Sequence, residues 1–242
     1  GEPGTFDDSA GLSPSSPFTA FDAASELRKV GKVAKGVTGT RVRYWADSQV
    51  FTPGAEFSTE ELAARARQTA FLVPGLHMRI DDSRSGTSQV SEFSFSGGIA
   101  EYVDFLAPDE AITATWRLNG EANFTENVPV LQDDGSMISQ EVERTCHVDI
   151  ALRWGTGYDT VVKSYVNIIA TPKGGSHQQG FEQSLLKVIR AQVEANARRL
   201  KAGNDKVEKE DAMAGLTAVI TVRLPEPQFE GQTKEVLGTP AA

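Results

Sequence analysis

The chain has 242 residues, 39% of them hydrophobic and 24% charged, which is ordinary for a soluble globular protein of one large or two modest domains. Acidic residues outnumber basic ones by 33 to 24, a formal net charge of -9, which argues against a chain that mainly binds nucleic acid. One cysteine excludes an internal disulfide and a cysteine-based zinc cluster. The sequence shows neither a membrane-spanning apolar run nor a signal peptide, so we expect no membrane association and a cytoplasmic location.

The first predicted elements follow a long loop. Residues 1–40 are rich in Gly, Ser, Pro and Asp and are predicted as surface loop. The alternation of β-branched and aromatic residues over 40–45 predicts a strand. Ser58 and Glu61 have the spacing of a capping box, which predicts a helix that runs to about Leu72.

A hairpin and a second helix are predicted next. Residues 76–80 and 90–95 form two strand-like runs around a polar turn, which predicts a hairpin. After Gly97 and Gly98 the apolar residues fall at helical i, i+3, i+4 and i+7 spacing, which predicts a short amphipathic helix. These apolar residues are Ile99, Tyr102, Val103 and Leu106.

Strand patterns dominate the next part of the chain. Residues 111–170 are strand-like, with turn signals at 133–135 and 155–157. A long helix is predicted over about 178–201. Its predicted buried stripe consists of Phe181, Leu185, Val188 and Ile189.

The last predicted element is a buried strand. Residues 201–211 are charged and are expected to be exposed, and 215–224 is a β-branched run that ends before two prolines. The predicted class is therefore α+β, with a domain boundary near Gly97.

Histidines and paired acids form no catalytic or metal-binding pattern. His77, His147 and His177 lack the carboxylate or cysteine neighbours of a metal site, so no metal ligand is predicted. The pairs Asp81–Asp82 and Asp133–Asp134 occur in turn-like sequences and are predicted to be solvated. No nucleophile lies near a base in a recognisable motif, so an unrelated small-molecule enzyme is the weakest hypothesis.

Four segments in order resemble the ATP-binding B subunit of the bacterial type IIA DNA topoisomerases, gyrase and topoisomerase IV. Each segment alone is a weak signal, but their order and spacing are specific. The resemblance extends from about Val37 to the C-terminus. The segments are 38–45 with the helix at 58–75, Phe95–Ile99, Thr171–Phe181, and 211–216 through 229–234.

The resemblance implies a two-part architecture. Residues 1–96 resemble the C-terminal part of a GHKL-type (Bergerat) ATP-binding domain, including the end of its sheet. Residues 97–242 resemble a transducer domain, whose fold is like domain 2 of ribosomal protein S5. Residues 1–36 and 111–145 fit the family less well and receive no assignment.

The resemblance also implies a nucleotide site. Lys234 would reach the γ-phosphate of ATP and Gln232 would hydrogen-bond the same group, so these two residues have the implied catalytic role. Thr40 would help to bind the adenine, and Val42 would line the adenine pocket. Composition alone would instead make Lys234 a solvated lysine in a loop.

Other residues of the matching segments receive structural or open roles. We expect Gly174–His177 to provide backbone geometry and helix capping, with His177 orienting the turn. Lys173, Arg198 and Arg199 are candidates for facing transported DNA. An exposed cationic surface is the equal alternative for these three residues.

The implied function is that of the ATP-binding subunit of a type IIA topoisomerase, which couples ATP to DNA strand passage. Its cofactors are ATP and Mg²⁺. Its partners are DNA, a second copy that dimerises on ATP, and the separate DNA-cleaving subunit, with which it forms an A2B2 heterotetramer. An alternative is a free-standing regulatory or binding protein derived from the transducer domain, without ATPase activity.

The family's water-activating glutamate, Mg²⁺-binding asparagine and adenine-binding motif are expected before the first matching segment. We therefore expect these 242 residues alone to bind no nucleotide and to be inactive. The sequence leaves gyrase and topoisomerase IV both open, although the length of 111–145 favours topoisomerase IV.

Overall fold

The computed structural model describes residues 31–42, 57–84, 88–131, 137–202 and 206–239. The chain divides into two compact units, 1–58 and 59–242. In the first unit, residues 31–42 are exposed and contain only a turn. The strand predicted over 40–45 is therefore wrong for Thr40–Val42, because β-branched side chains favour a strand only where they pack against a neighbouring strand. The rest of that prediction lies outside the described residues.

The second unit is an α+β assembly. Its described elements are α1 (Thr59–Leu72), β1 (Met78–Asp82), β2 (Gln89–Phe93), α2 (Ile99–Leu106), β3 (Trp116–Leu131), β4 (Met137–Trp154), β5 (Val161–Val166), β6 (Ile169–Ala170), α3 (Ser176–Ala195), α4 (Ala197–Leu200), α5 (Lys209–Met213) and β7 (Leu216–Arg223). The helices predicted from Ser58 and Ile99, the hairpin and the last buried strand are confirmed. The boundary predicted near Gly97 stays a prediction.

The strands form two sheets. β1 and β2 pair as an antiparallel hairpin. The other strands form a five-stranded sheet in the order β3-β4-β7-β5-β6. β5 runs parallel to β7, and the remaining pairs are antiparallel. β7 is the central strand and is buried along most of its length, as its run of β-branched residues predicts.

Helices cover both faces of the large sheet. On one face, α1 and α2 pack through Phe71 and Val103 against Ala151, Tyr165 and Val219. On the other face, α3 and α5 pack against β4 and β7 in a cluster that contains Leu152, Phe181, Met213 and Ile220. A third cluster lies at one end of the sheet and contains Cys146, Val166, Val222, Leu224 and Leu237.

The long helix differs from its prediction in two respects. It ends at Ala195 and a separate turn, α4, follows it. Phe181 is buried and Leu185 packs against the same cluster, as predicted. Val188 is 58% exposed, so its predicted burial is wrong. Helical periodicity marks an apolar stripe but not how far along the helix its partner surface extends.

β3 and β4 continue beyond the sheet as a ribbon. β4 pairs with β7 only from His147 to Trp154, whereas it pairs with β3 along the whole of Met137–Leu152. Residues 122–131 and 137–146 therefore form a two-stranded extension, the β3–β4 ribbon. No helix of the described residues is long and apolar enough to cross a membrane.

Candidate functional site

Gln232 and Lys234 lie in a short hairpin after β7, the C-terminal hairpin (residues 228–239). Its two arms are joined by the Glu230 amide donating to the Val236 carbonyl at 3.0 Å and the Gly238 amide donating to the Gln228 carbonyl at 2.8 Å. At the tip, the Lys234 amide donates to the Gly231 carbonyl at 3.4 Å. The hairpin therefore brings Gln232 and Lys234 into one tight turn.

The backbone of this turn has two left-handed residues. Gly231 has φ +86° and Lys234 has φ +57°. Glycine adopts this region without steric cost, whereas a lysine there is uncommon. Gln232, Thr233 and Lys234 are all exposed, so the turn presents three polar side chains to the outside of the second unit.

The C-terminal hairpin is attached to the start of α3 by its backbone. The Leu237 amide donates to the Gly174 carbonyl and the Ser176 amide donates to the Leu237 carbonyl, both at 3.1 Å. Leu237 is 1% exposed and packs in the cluster at the end of the sheet. The position of the hairpin is therefore fixed relative to α3 and to the sheet.

Glycine is required where the hairpin meets α3. Gly175 has φ +140°, and a Cβ atom added there would lie 2.5 Å from both the amide nitrogen and the carbonyl oxygen of Leu237. Any larger residue would push the two segments apart. The backbone role predicted for Gly174–His177 is thus confirmed.

The two lysines beside this junction have different electrostatic surroundings. The Lys173 ammonium donates to Glu235 Oε2 at 2.7 Å, and this bond holds the pKa of the Glu235 carboxyl below its usual value. Lys234 forms no ion pair within the described residues, and its ammonium lies 5.8 Å from the centre of the Phe229 ring. Lys234 is therefore the cation of the hairpin that is available to an anion.

Three buried polar side chains form a chain of contacts next to the junction between the C-terminal hairpin and α3. Ser164 Oγ lies 2.8 Å from Thr171 Oγ1, which lies 3.2 Å from His177 Nε2. His177 is 4% exposed, and burial lowers its pKa to about 4, so the ring is neutral at pH 7. Its other nitrogen finds no hydrogen-bond partner within the described residues. His177 contacts the turn that precedes α3, as predicted.

Thr40 and Val42, the predicted adenine contacts, belong to the first compact unit. Both are exposed, and Val42 is 81% exposed. Their assignment to an adenine pocket stays a prediction.

The remaining acids and histidines differ in part from their predictions. Asp82 accepts hydrogen bonds from Arg84 and from Thr59 Oγ1 at 2.5 Å, and these bonds, the Arg84 bond first, hold the pKa of Asp82 well below its usual range. Asp82 is therefore held by hydrogen bonds at the end of β1, and the prediction that it is a solvated turn residue is wrong. Asp133–Asp134 lies outside the described residues. Within the described ranges, no three His, Cys, Asp or Glu residues cluster as a metal site.

Sequence reasoning missed the residues that hold the hairpin in place. Leu237 and Glu235 belong to no motif, and their partners Gly174 and Lys173 lie more than sixty positions earlier. The only local signal was the glycine pair before α3, which indicated an unusual backbone.

The chain is similar to known proteins along most of its length. A family model described as DNA gyrase B matches residues 98–242. The DNA gyrase B subunit of Streptococcus pyogenes serotype M3 is 39% identical over 221 residues, which cover 91% of this chain and 31% of that protein. The gyrase B subunit of Campylobacter jejuni is 35% identical over 222 residues, which cover 92% of this chain and 25% of that protein. The chain thus spans about a third or less of the length of these relatives.

Solved structures show the same fold. The 43K ATPase domain of Thermus thermophilus gyrase B, solved with an aminocoumarin, matches with a TM-score of 0.56 and 24% identity, over 80% of this chain and 46% of that chain. The topoisomerase IV ATP-binding domain of Francisella tularensis, solved with a small-molecule inhibitor, matches with a TM-score of 0.57 and 24% identity, over 81% of this chain and 46% of that chain. The predicted α+β class is confirmed.

Proposed function

This chain belongs to the DNA gyrase B family, and from that premise we propose that it is part of the ATP-binding subunit of a type IIA DNA topoisomerase. Residues 1–96 are the end of the ATP-binding domain and residues 97–242 are the transducer. The intact subunit works with ATP, Mg²⁺ and DNA, dimerises on ATP, and assembles with the separate DNA-cleaving subunit as an A2B2 heterotetramer.

The observation that supports this proposal is the contrast between the two lysines at the junction. Lys173 is neutralised by Glu235 at 2.7 Å, whereas Lys234 is exposed at the tip of a hairpin with fixed arms and forms no ion pair within the described residues. An exposed ammonium on a flexible stem suits a terminal phosphate, which accepts charge-assisted hydrogen bonds.

In this proposal Lys234 donates to the γ-phosphate and the Gln232 side-chain amide donates to the same group. Bound ATP supplies the phosphate oxygens for both. The contact exists before hydrolysis and is lost afterwards, so it favours one arrangement of the subunit over another. Because Leu237 and Gly174 join the hairpin to α3, a displacement of Lys234 displaces the start of α3.

Lys234→Ala in the intact subunit tests the role of the tip. We expect loss of ATP-driven strand passage with an unchanged unfolding curve, because an exposed side chain contributes little to stability. Lys187→Ala is the matched control, since Lys187 is an exposed lysine of α3. Full supercoiling or decatenation by Lys234→Ala would contradict the proposal.

Thr40 and Val42 are proposed to contact the adenine in the intact subunit. Thr40→Ala should raise the KM for ATP and leave kcat unchanged, because it removes a residue that helps to bind the adenine and no catalytic group. A KM for ATP equal to that of the unaltered subunit would show that Thr40 does not contribute to adenine binding.

Calorimetric titration of the 242-residue chain with a non-hydrolysable ATP analogue and Mg²⁺ tests whether the nucleotide site is complete in this part of the subunit. We expect no binding. Micromolar binding would mean that these residues form the whole nucleotide site. The expectation that the family's water-activating glutamate, Mg²⁺-binding asparagine and adenine-binding motif lie elsewhere in the subunit would then be wrong.

A further inference from the structure

On the side away from β7, the first part of β5 pairs with no strand of the described residues. β6 pairs only with Tyr165 and Val166, and the Thr171 amide donates to the Ser164 carbonyl at 2.9 Å. No described residue pairs with the part of that edge that precedes Ser164. An exposed strand edge is a template for a further strand.

The direction of the free backbone groups follows from neighbouring hydrogen bonds. The Asn167 amide donates to Val222 of β7, whereas the Ser164 carbonyl accepts on the opposite side. Backbone groups of a strand alternate in direction with a period of two. The amide and carbonyl of Val162 therefore point outward, and neither has a hydrogen-bond partner within the described residues.

Two grooves flank this edge, and Val162 lines both. The groove on the α1 side contains Glu61, Arg65, Arg67 and Lys163, and the groove on the α3 side contains Glu182, Lys209 and Glu210. Lys209 and Glu182 are paired at 2.5 Å. The α1 side thus has an excess of positive charge and the α3 side has none.

The cations of the α1 side are only partly neutralised. Arg67 lies over the Phe93 and Phe105 rings, at 5.2 and 5.1 Å from their centres. Arg65 and Lys163 are exposed and form no ion pair within the described residues. Glu61 is the one carboxylate among the described residues that line this groove.

We propose that the free edge of β5 binds an extended acidic segment of a partner protein, which adds to the sheet as a further strand. Val162 supplies the main-chain donor and acceptor. Every second side chain of the bound segment faces Arg65 and Lys163 and is a carboxylate, and the alternate side chains face the α3 side. Affinity comes from main-chain hydrogen bonds and specificity from the two grooves, as in other strand-addition complexes. This inference does not depend on the proposed ATP contact.

The test is a binding titration of the 242-residue chain with a short capped peptide that alternates glutamate with valine or threonine. Val162→Pro removes the outward N–H and leaves the β5–β7 hydrogen bonds intact, since proline is tolerated where the N–H faces away from a partner strand. Val162→Ala is the matched control because it shortens the side chain but keeps the N–H. Thermal unfolding verifies that both variants are folded.

We expect Val162→Pro to bind the peptide about tenfold more weakly than Val162→Ala, which corresponds to one lost hydrogen bond. Lys163→Glu should also weaken binding, with most of the loss removed at high salt. Equal binding by the proline and alanine variants would overturn the proposal.

Two further outcomes would also overturn it. Equal binding of a peptide with lysine in place of glutamate, or no binding of the acidic peptide, would exclude an acidic strand. A dimer of the unaltered chain that becomes monomeric only in Val162→Pro would assign the edge to a second copy of this chain instead.

Discussion

The C-terminal hairpin and the β3–β4 ribbon are both two-stranded and both extend from the same sheet, but they are held in different ways. The hairpin contributes Leu237 to a buried cluster and shares backbone hydrogen bonds with Gly174 and Ser176. The base of the ribbon joins the same cluster through Cys146 and Phe124, but its tip pairs only with itself among the described residues, and Met137 and Ile138 there are exposed. A two-stranded ribbon without a packed face has little stability of its own.

The difference shows what makes a loop able to transmit a signal. A tip can report ligand binding to the rest of a protein only if its arms are fixed to elements that move with it. The C-terminal hairpin meets this condition through α3. The ribbon is bonded to the rest of the chain near its base, by Glu126 to Gln228 and by Arg144 to Glu226, whereas the described residues beyond these two pair with each other. Substitutions in the two regions should therefore have different consequences.

Leu237→Ala should have the largest effect. It removes a fully buried side chain from a cluster that includes Val166 and Leu224, which costs about 2–5 kcal/mol in a close-packed core. Urea unfolding measures the loss. Ile138→Ala on the ribbon is the control and should change stability by less than about 0.5 kcal/mol. Equal losses would show that the hairpin is no better anchored than the ribbon.

Gly175→Ala should have the next largest effect. The added Cβ would meet the Leu237 backbone at 2.5 Å and the residue would keep φ +140°, a strain of about 1–3 kcal/mol. Gly120→Ala on β3 is the control, since a Cβ there meets nothing within 4 Å. Faster amide hydrogen exchange at Leu237 in Gly175→Ala, but not in Gly120→Ala, would localise the effect to the hairpin. An undisturbed Leu237 amide would refute the steric argument.

Lowering the pH should weaken the junction beneath the hairpin. Burial lowers the pKa of His177 from 6.5 to about 4, so between these values the unfolded chain binds a proton that the folded chain does not. Its contribution to stability is complete above pH 6.5 and decreases as the pH falls toward 4, by about 1 kcal/mol between pH 7 and 5.5. The difference between the unaltered chain and His177→Gln isolates this contribution from other groups. A pH-independent difference would mean that His177 titrates normally.

Lys173→Ala should have the smallest effect. The Lys173–Glu235 pair is largely exposed, and such pairs contribute little to stability. The loss should vanish at high salt, because salt screens exposed charges. A loss as large as that of Leu237→Ala would show that the ion pair, and not the buried leucine, holds the hairpin.

Local patterns in the sequence predicted several elements correctly. The capping spacing at Ser58 and the helical spacing from Ile99 located α1 and α2, and the β-branched run located β7. Each of these signals lies within a single helix or strand, so it can be recognised without knowing what the element packs against. Thr40–Val42 has a strand-like composition but forms no strand.

The errors concern relations between distant parts of the chain. Val188 falls on the apolar stripe that the helical spacing predicts, but it is exposed because nothing described packs against α3 at that position. Asp82 is polar and turn-like but binds Thr59, which is twenty-three positions away. In the candidate site, the resemblance located Lys234 and Gln232, whereas the contacts of Gly175 with Leu237 required coordinates. Sequence periodicity contains no information about such pairings.

The burial of Cys146 has a practical consequence for spectroscopy. Cys146 is the only cysteine of the chain, it is 3% exposed, and burial raises the pKa of its thiol, so it reacts slowly with maleimides while the protein is folded. A cysteine introduced at the exposed Thr233 would therefore accept a fluorophore or spin label selectively, without prior removal of the natural thiol. The emission or the mobility of that single label could follow the surroundings of the hairpin tip in real time as nucleotide and DNA are added.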